Sequence, residues 1–170
     1  MMLVTLSDLA SEQNAATEAT MEAVVQFLNY AATHPDAILC YQASDMILKI
    51  HSDSSYLNLP KALSRAGGHF YLGNDTTKKP EVHNGAILNP TGVLKPVMSS
   101  AAESEIGGIF VNCKEGTVIR TSLDEMDHPQ PATPVAVDNT TAVGISNDTV
   151  KQSRSRAIDM RFYWVRDCIN

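Results

Sequence analysis

The chain has 170 residues and a mass of 18.4 kDa, room for one domain or for one domain with a short appendage. Hydrophobic residues make up 44% and charged residues 19%, so the chain can bury a core and is not a disordered polar chain. No apolar run approaches the ~20 residues that span a bilayer, and the net charge of −6 argues against broad, non-specific nucleic-acid binding.

That charge is uneven. Within residues 151–170, Lys151, Arg154, Arg156, Arg161 and Arg166 outweigh Asp159 and Asp167 to give +3, which leaves −9 on the remaining 150 residues. An acidic body with a basic end fits a metal-dependent nuclease and equally fits an ordinary charged final helix. The opening Met1-Met2-Leu3-Val4-Thr5-Leu6-Ser7 has no basic residue and soon meets Asp8 and Glu12, a poor signal peptide. Cys40, Cys113 and Cys168 are far apart and odd in number, and no Cys-x-x-Cys or zinc-like Cys/His spacing occurs. Neither a disulfide framework nor a structural zinc is indicated, and a reducing, intracellular setting fits. The five histidines are scattered and read as surface or loop residues.

In chain order, residues 6–32 read as helical, with Met21, Val24, Val25 and Leu28 at helix-face spacings. His34-Pro35-Asp36 ends the helix. Extended runs follow at 37–41 and 46–52; in the second, Met46, Leu48 and Ile50 alternate with Lys49 and His51. A loop at 57–64 leads to a strand at 66–72, where Gly67-Gly68 implies a bulge or close backbone approach. Residues 73–80 form an exposed turn, and 84–88 and 92–97 give one or two short strands, a hairpin pair with the preceding run. Ser99-Ser100 is an N-cap signal for a helix from 101 to about 120, with Ile106, Ile109, Phe110 and Cys113 on one stripe. The proline-rich 129–134 is a linker, and Val135-Ala136-Val137-Asp138 has the continuous apolar pattern of a central strand. Asn139 caps a helix through 141–147, and a last helix runs over 155–169. The order is α/β: antiparallel strands, then βα units, hence a mixed sheet with packed helices.

Three acids occupy telling positions. Asp53 closes the 46–52 strand, Asp138 ends the 135–137 strand, and Glu103 lies in the first turns of the helix that starts near Ser99. Acids at strand ends and on a neighbouring helix can converge, and converging oxygens suit hard cations such as Mg²⁺. Two such ions can activate water and stabilise a leaving oxygen in phosphodiester cleavage. Each acid also has a plain structural reading: Asp138-Asn139 as a cap pair, Asp53-Ser54-Ser55 as a turn, Glu103 as a partner of the helix dipole. Glu103 and Glu105 compete for the helical position, because residues two apart point roughly 200° apart. Glu103 leads into the stripe of Ile106, Phe110 and Cys113, whereas Glu105 aligns with the mixed face of Gly108, Ile109 and Asn112, so Glu103 is the choice.

Four ordered segments, His51-Ser52-Asp53-Ser54-Ser55-Tyr56, Ser64-Arg65-Ala66-Gly67-Gly68-His69-Phe70, Met98-Ser99-Ser100-Ala101-Ala102-Glu103-Ser104-Glu105 and Val137-Asp138-Asn139-Thr140-Thr141-Ala142, resemble the ribonuclease H domain of copia-type LTR retrotransposons. Residues 153–163 resemble a helix found downstream in that domain. The resemblance covers 46–170, and residues 1–45 resemble the helical connection that follows the reverse transcriptase. It implies a ribonuclease H-like fold and an endonuclease that cuts the RNA strand of RNA–DNA hybrids with two Mg²⁺ ions, Mn²⁺ being a substitute. Asp53, Glu103 and Asp138 match the family's first three metal-binding acids. The family's fourth acid follows one more strand, in an Asn-x-x-Ala-Asp motif that this sequence does not reach, so the domain is expected to be incomplete at its C-terminus. In the family pattern Asp159 belongs to the preceding helix and is read as an ion-pair or capping residue, and Asp148 has still less claim to be the missing acid. The implied partners are the hybrid and the reverse transcriptase and integrase parts of the same polyprotein, with no membrane, in a cytoplasmic setting within retroelement particles.

Arg65, with Lys61, is a loop cation that reaches phosphate or solvent, and Arg154, Arg156 and Arg161 face either the hybrid backbone or water. At least one of Phe162, Tyr163 and Trp164 packs in the core; stacking of Trp164 on a base is the lesser reading. No His–Asp arrangement supports a serine nucleophile at 52, 54 or 55, and Gly67-Gly68 is not a phosphate loop. Two rivals share these residues: a catalytically impaired retroelement relic with the same fold, and an interaction module in which the acids are only caps.

Overall fold

The computed structural model describes residues 2–147, 149 and 160–169. The chain divides into two compact units, Met1–Cys40 and Tyr41–Asn170. Among the described residues, no helix is long and apolar enough to cross a membrane.

The first unit holds two helices, α1 (Met2–Glu12) and α2 (Glu18–Thr33), where one continuous helix was expected. The break comes from Thr17. Its hydroxyl accepts from the Thr20 N–H at 3.3 Å while the Thr20 hydroxyl accepts from the Thr17 N–H at 3.2 Å, a reciprocal cap that starts a new helix. Thr20 also donates to Glu12 at 2.8 Å, tying the end of α1 to the start of α2.

The second unit is built on a four-stranded mixed sheet in the order β3-β2-β1-β4. β1 (Ile47–Leu59) pairs antiparallel with β2 (Leu63–Gly73), β2 pairs antiparallel with β3 (Thr91–Leu94), and β4 (Val135–Ala136) runs parallel to β1. Three antiparallel strands followed by a parallel one make an α/β arrangement compatible with a ribonuclease H-like fold. The helices are α3 (Ala101–Glu125), α4 (Thr140–Ser146) and α5 (Met160–Ile169).

Several boundaries differ from the sequence reading. Residues 37–41 form no strand: Ile38 and Leu39 are exposed, and the second unit begins with Tyr41 Oη, which donates to Ala86 O, and the Gln42 N–H, which donates to Asn84 Oδ1. β1 does not stop at 52. It runs on through 53–59, because β2 supplies ladder partners as far as Ser55↔Arg65, with a register shift before Leu59↔Leu63. Asp53 is therefore inside a strand, opposite Gly67, and most of the expected 57–64 loop is strand closed by a short turn at Pro60–Ala62. Residues 84–88 contribute a single bridge, Phe70↔Leu88. β4 is an edge strand among the described residues, not a central one; Val135 and the following Val137 pack into the two core clusters while Ala136 is exposed.

α3 explains the arrangement of the core because it is buried on two sides. One side lies on the sheet, over Leu48, Ile50 and Phe70, with Leu123 closing that cluster. The other carries Ile106 and Ile109 against Ala142, Ile145 and Val165 of α4 and α5, with Phe110 and Trp164 edge to face at 5.2 Å. Trp164 thus serves packing, as one of the three aromatic residues at 162–164 was expected to.

The sheet side of α3 is lined by small residues. A Cβ on Gly108 would sit 3.4 Å from the Asp53 carbonyl oxygen, and one on Gly116 would run into Ile50 Cδ1. Two glycines two turns apart let the helix axis approach β1 closely, and this proximity brings a short acidic side chain from α3 within reach of the strand.

Candidate metal centre

Each acid reaches the centre from a different element. Asp53 extends from β1. Asp138 lies just past the end of β4: His51 pairs with Ala136 in the parallel ladder, and Asp53 and Asp138 each follow two residues later in the chain. Asn139 fixes the turn that follows: its side chain accepts from the Ala142 N–H at 3.0 Å and starts α4. Glu105 projects from the sheet-facing side of α3, one turn before Gly108.

One carboxylate oxygen from each of Asp53, Glu105 and Asp138 lies within 4.8 Å of the others. Asp53 and Asp138 are exposed, whereas Glu105 is 6% exposed. Glu105 Oε1 accepts from the Ser54 N–H at 3.3 Å, which aims the carboxylate at the end of the strand pair. Its Oε2 is buried and has no hydrogen-bond partner among the described residues. Burial pushes the Glu105 carboxyl above the ordinary glutamate value, and the charges of Asp53 and Asp138 push the same way, against the lowering effect of the bond to Ser54.

The helical acid is therefore Glu105, which corrects the expectation placed on Glu103. Glu103 faces away from the cluster and serves the helix start. Its carboxylate accepts from the Ser99 N–H at 2.7 Å and from the Ser99 hydroxyl, while its own N–H donates to Ser100 Oγ at 3.1 Å. The apolar stripe that favoured Glu103 is real but faces α4 and α5. The signal that would have found Glu105 is the small-residue face Glu105, Gly108, Asn112, Gly116, which marks where a helix comes closest to its neighbour.

Arg65 also differs from expectation. It sits within β2, opposite Ser55 and Val93, and is 6% exposed, where a loop cation was expected. Lys61 is exposed in the Pro60–Ala62 turn. Arg154, Arg156, Asp159 and Asp148 lie outside the described residues, as does the side chain of Arg161.

The oxygens suit a hard divalent cation. An ion held at ~2.1–2.6 Å from each ligand requires oxygens no more than about 5 Å apart, which this cluster meets. The partnerless Glu105 oxygen and three mutually repelling carboxylates are what a cation would relieve.

Comparison with known proteins bears on the origin of the chain. Over 149 residues it is 25% identical to the Retrovirus-related Pol polyprotein from transposon TNT 1-94 of Nicotiana tabacum. The likeness supports a retroelement polyprotein origin. The matched stretch covers 88% of this chain and 10% of the Nicotiana polyprotein, so the chain spans about a tenth of that relative's length. No family model and no solved structure matches the chain.

Proposed function

We propose that the second unit is a metal-dependent endonuclease of ribonuclease H type that hydrolyses the RNA strand of RNA–DNA hybrids within a retroelement polyprotein. The first unit is read as a helical connection from the reverse transcriptase of that polyprotein. The observation that carries the reading is the convergence of Asp53, Asp138 and the buried Glu105, whose Oε2 has no hydrogen-bond partner among the described residues. The mixed sheet and the likeness to a retrotransposon Pol polyprotein support it from independent directions.

Asp53, Glu105 and Asp138 would hold the cations, Mg²⁺ in the first instance with Mn²⁺ as substitute. Bound there, divalent ions supply water activation and charge stabilisation at the leaving oxygen. The chain's own part is positional. The Ser54 N–H holds Glu105, and the Ser54 hydroxyl donates to Ser104 Oγ at 2.9 Å, locking β1 to the first turns of α3. Two exposed carboxylates beside one buried one leave the outer side of the cluster open for a phosphodiester.

Gly67 supplies room for that approach. It is paired with Asp53 across the ladder, and an added Cβ would meet nothing within 4 Å. Neither packing nor a positive φ requires glycine here. Gly67→Val is expected to leave the melting temperature within ~2 °C of the parent while weakening hybrid binding about tenfold, measured by titration of a labelled hybrid in Ca²⁺. Unchanged affinity would show that the substrate does not pass over Gly67.

The function itself is tested by cleavage of a hybrid labelled on each strand, in Mg²⁺ and in Mn²⁺, with Asp138→Asn purified identically. Cutting of the RNA strand by the parent alone is the expected result. A folded parent that leaves the RNA intact in both metals overturns the reading in favour of an inactive relic.

A further inference from the structure

α3 and α5 meet through the edge-to-face contact of Phe110 and Trp164. One helical turn further along each helix stand Cys113 and Cys168, and both face the same cavity of about 710 Å³, which is bounded also by Val135, Val137 and Val143. Both thiols are free. Cys168 is exposed, while Cys113 is half-buried among the apolar side chains around Ile109. Two thiols at equivalent steps from one interhelical contact, on the wall of one cavity, form a pair that no feature of the metal centre uses.

We propose that Cys113 and Cys168 are a thiol–disulfide site, oxidised by a small-molecule disulfide of the glutathione class to a bond that links α5 to α3. Cys168 reacts first, being the accessible thiol. Its thiolate attacks one sulfur of oxidised glutathione, the glutathione S–S bond breaks, and one glutathione leaves as a thiolate that takes up a proton. Cys113 then gives its proton to solvent and attacks the Cys168 sulfur, and the second glutathione leaves. Two protein thiols are oxidised by two electrons, and one glutathione disulfide is reduced to two thiols.

The environments set the order of events. Burial, with the charge of Cys168 nearby, pushes the Cys113 thiol up to about 11, so its thiolate is scarce near neutral pH and ring closure is the slow step. Burial and Asp167 also raise Cys168 above the ordinary thiol value, which makes the whole exchange faster at higher pH. The link would fix α5 on the helix that carries Glu105 and close one side of the cavity between α3 and the β4 edge.

The test uses the full chain with Cys40→Ser, oxidised by oxidised glutathione and mapped by non-reducing peptide mass spectrometry. A Cys113–Cys168 peptide is expected, with a melting temperature about 5 °C above the reduced form, reversed by dithiothreitol. In Cys113→Ser the mixed disulfide at Cys168 should persist. Cys168→Ser, altered at an exposed position and so expected to fold, should leave Cys113 unmodified over the same time. If the folded parent stops at glutathionylated Cys168, or if Cys113 reacts equally fast without Cys168, the proposal is overturned.

Discussion

Glu105→Gln is expected to lower hybrid cleavage by about a thousandfold, equivalent to ~4 kcal/mol, while making the cation-free protein more stable. Glutamine keeps the oxygen that accepts from the Ser54 N–H, so the local geometry survives. It removes the buried negative charge that faces Asp53 and Asp138 and that has no partner on Oε2. In EDTA the melting temperature should rise by about 2–4 °C, and the increment that the parent gains from Mg²⁺ should shrink. The pH dependence follows from the same group. The folded-state value of Glu105 lies above its unfolded value, so between the two the native protein binds the extra proton. In EDTA, parental stability should therefore fall as pH rises from the ordinary glutamate value through the raised one, and this fall should be missing in Glu105→Gln. Glu103→Gln should do the reverse on both counts. It weakens the start of α3 by at most about 1 kcal/mol and leaves cleavage within about twofold. A dead Glu103→Gln beside an active Glu105→Gln would sink the assignment of the centre.

Gly68→Ala should destabilise the protein by about 3 kcal/mol, lowering the melting temperature by about 10 °C. A Cβ at this position would stand 2.9 Å from Asn112 Cγ and 2.8 Å from Phe70 Cε2. Neither neighbour can yield easily. Phe70 is wholly buried in the cluster with Leu48 and Ile50, and Asn112 is 1% exposed, with its amide donating to Ser52 Oγ and to Gly67 O, both at 2.9 Å. Displacing Asn112 would strand a buried amide and loosen the helix-to-sheet contact next to the acids. Removing Asn112 as well relieves the clash, so Gly68→Ala with Asn112→Ala should be less destabilised than the sum of the single variants. Strict additivity, or a parental melting temperature for Gly68→Ala, would show that the two residues do not meet as described.

The sequence was most legible where a pattern reports on a single face. The alternation at Leu48, Ile50 and Lys49 marks β1, and the turn chemistry around Asn139 marks the start of α4. The three antiparallel strands and the following βα unit could be read in order. Asp53 and Asp138 stand out in the sequence as strand-end acids; Asp138 does follow the end of β4, while Asp53 lies within β1, two residues past the last parallel pair. Legibility failed where two faces of one element are buried for different reasons. On α3 the apolar stripe packs under α4 and α5, and the side that meets the sheet is nearly featureless to a hydrophobicity count, being glycine, serine and asparagine. A rule that seeks the oily side of a helix will then select Glu103. A second failure, the extent of β1, arose because strand length depends on what pairs beside it: residues 53–59 contain four polar residues and read as loop until β2 is placed against them. Arg65 misled for the same reason, since the loop it was assigned to is strand.

The two-residue pairing of β4 has a bearing on how the centre assembles. Ile50 meets Val135 and His51 meets Ala136 across 85 positions of chain. The β1–β2 hairpin, by contrast, closes over a three-residue turn. Loop-closure entropy and the crossover through α3 therefore order the events: hairpin first, helix docking next, parallel pairing last. Asp138 rides on the last of these. In the native state the same short ladder is the cheapest part of the sheet to open, so amide exchange at β4 should report the coming and going of one wall of the acidic cluster while the hairpin beside it stays closed.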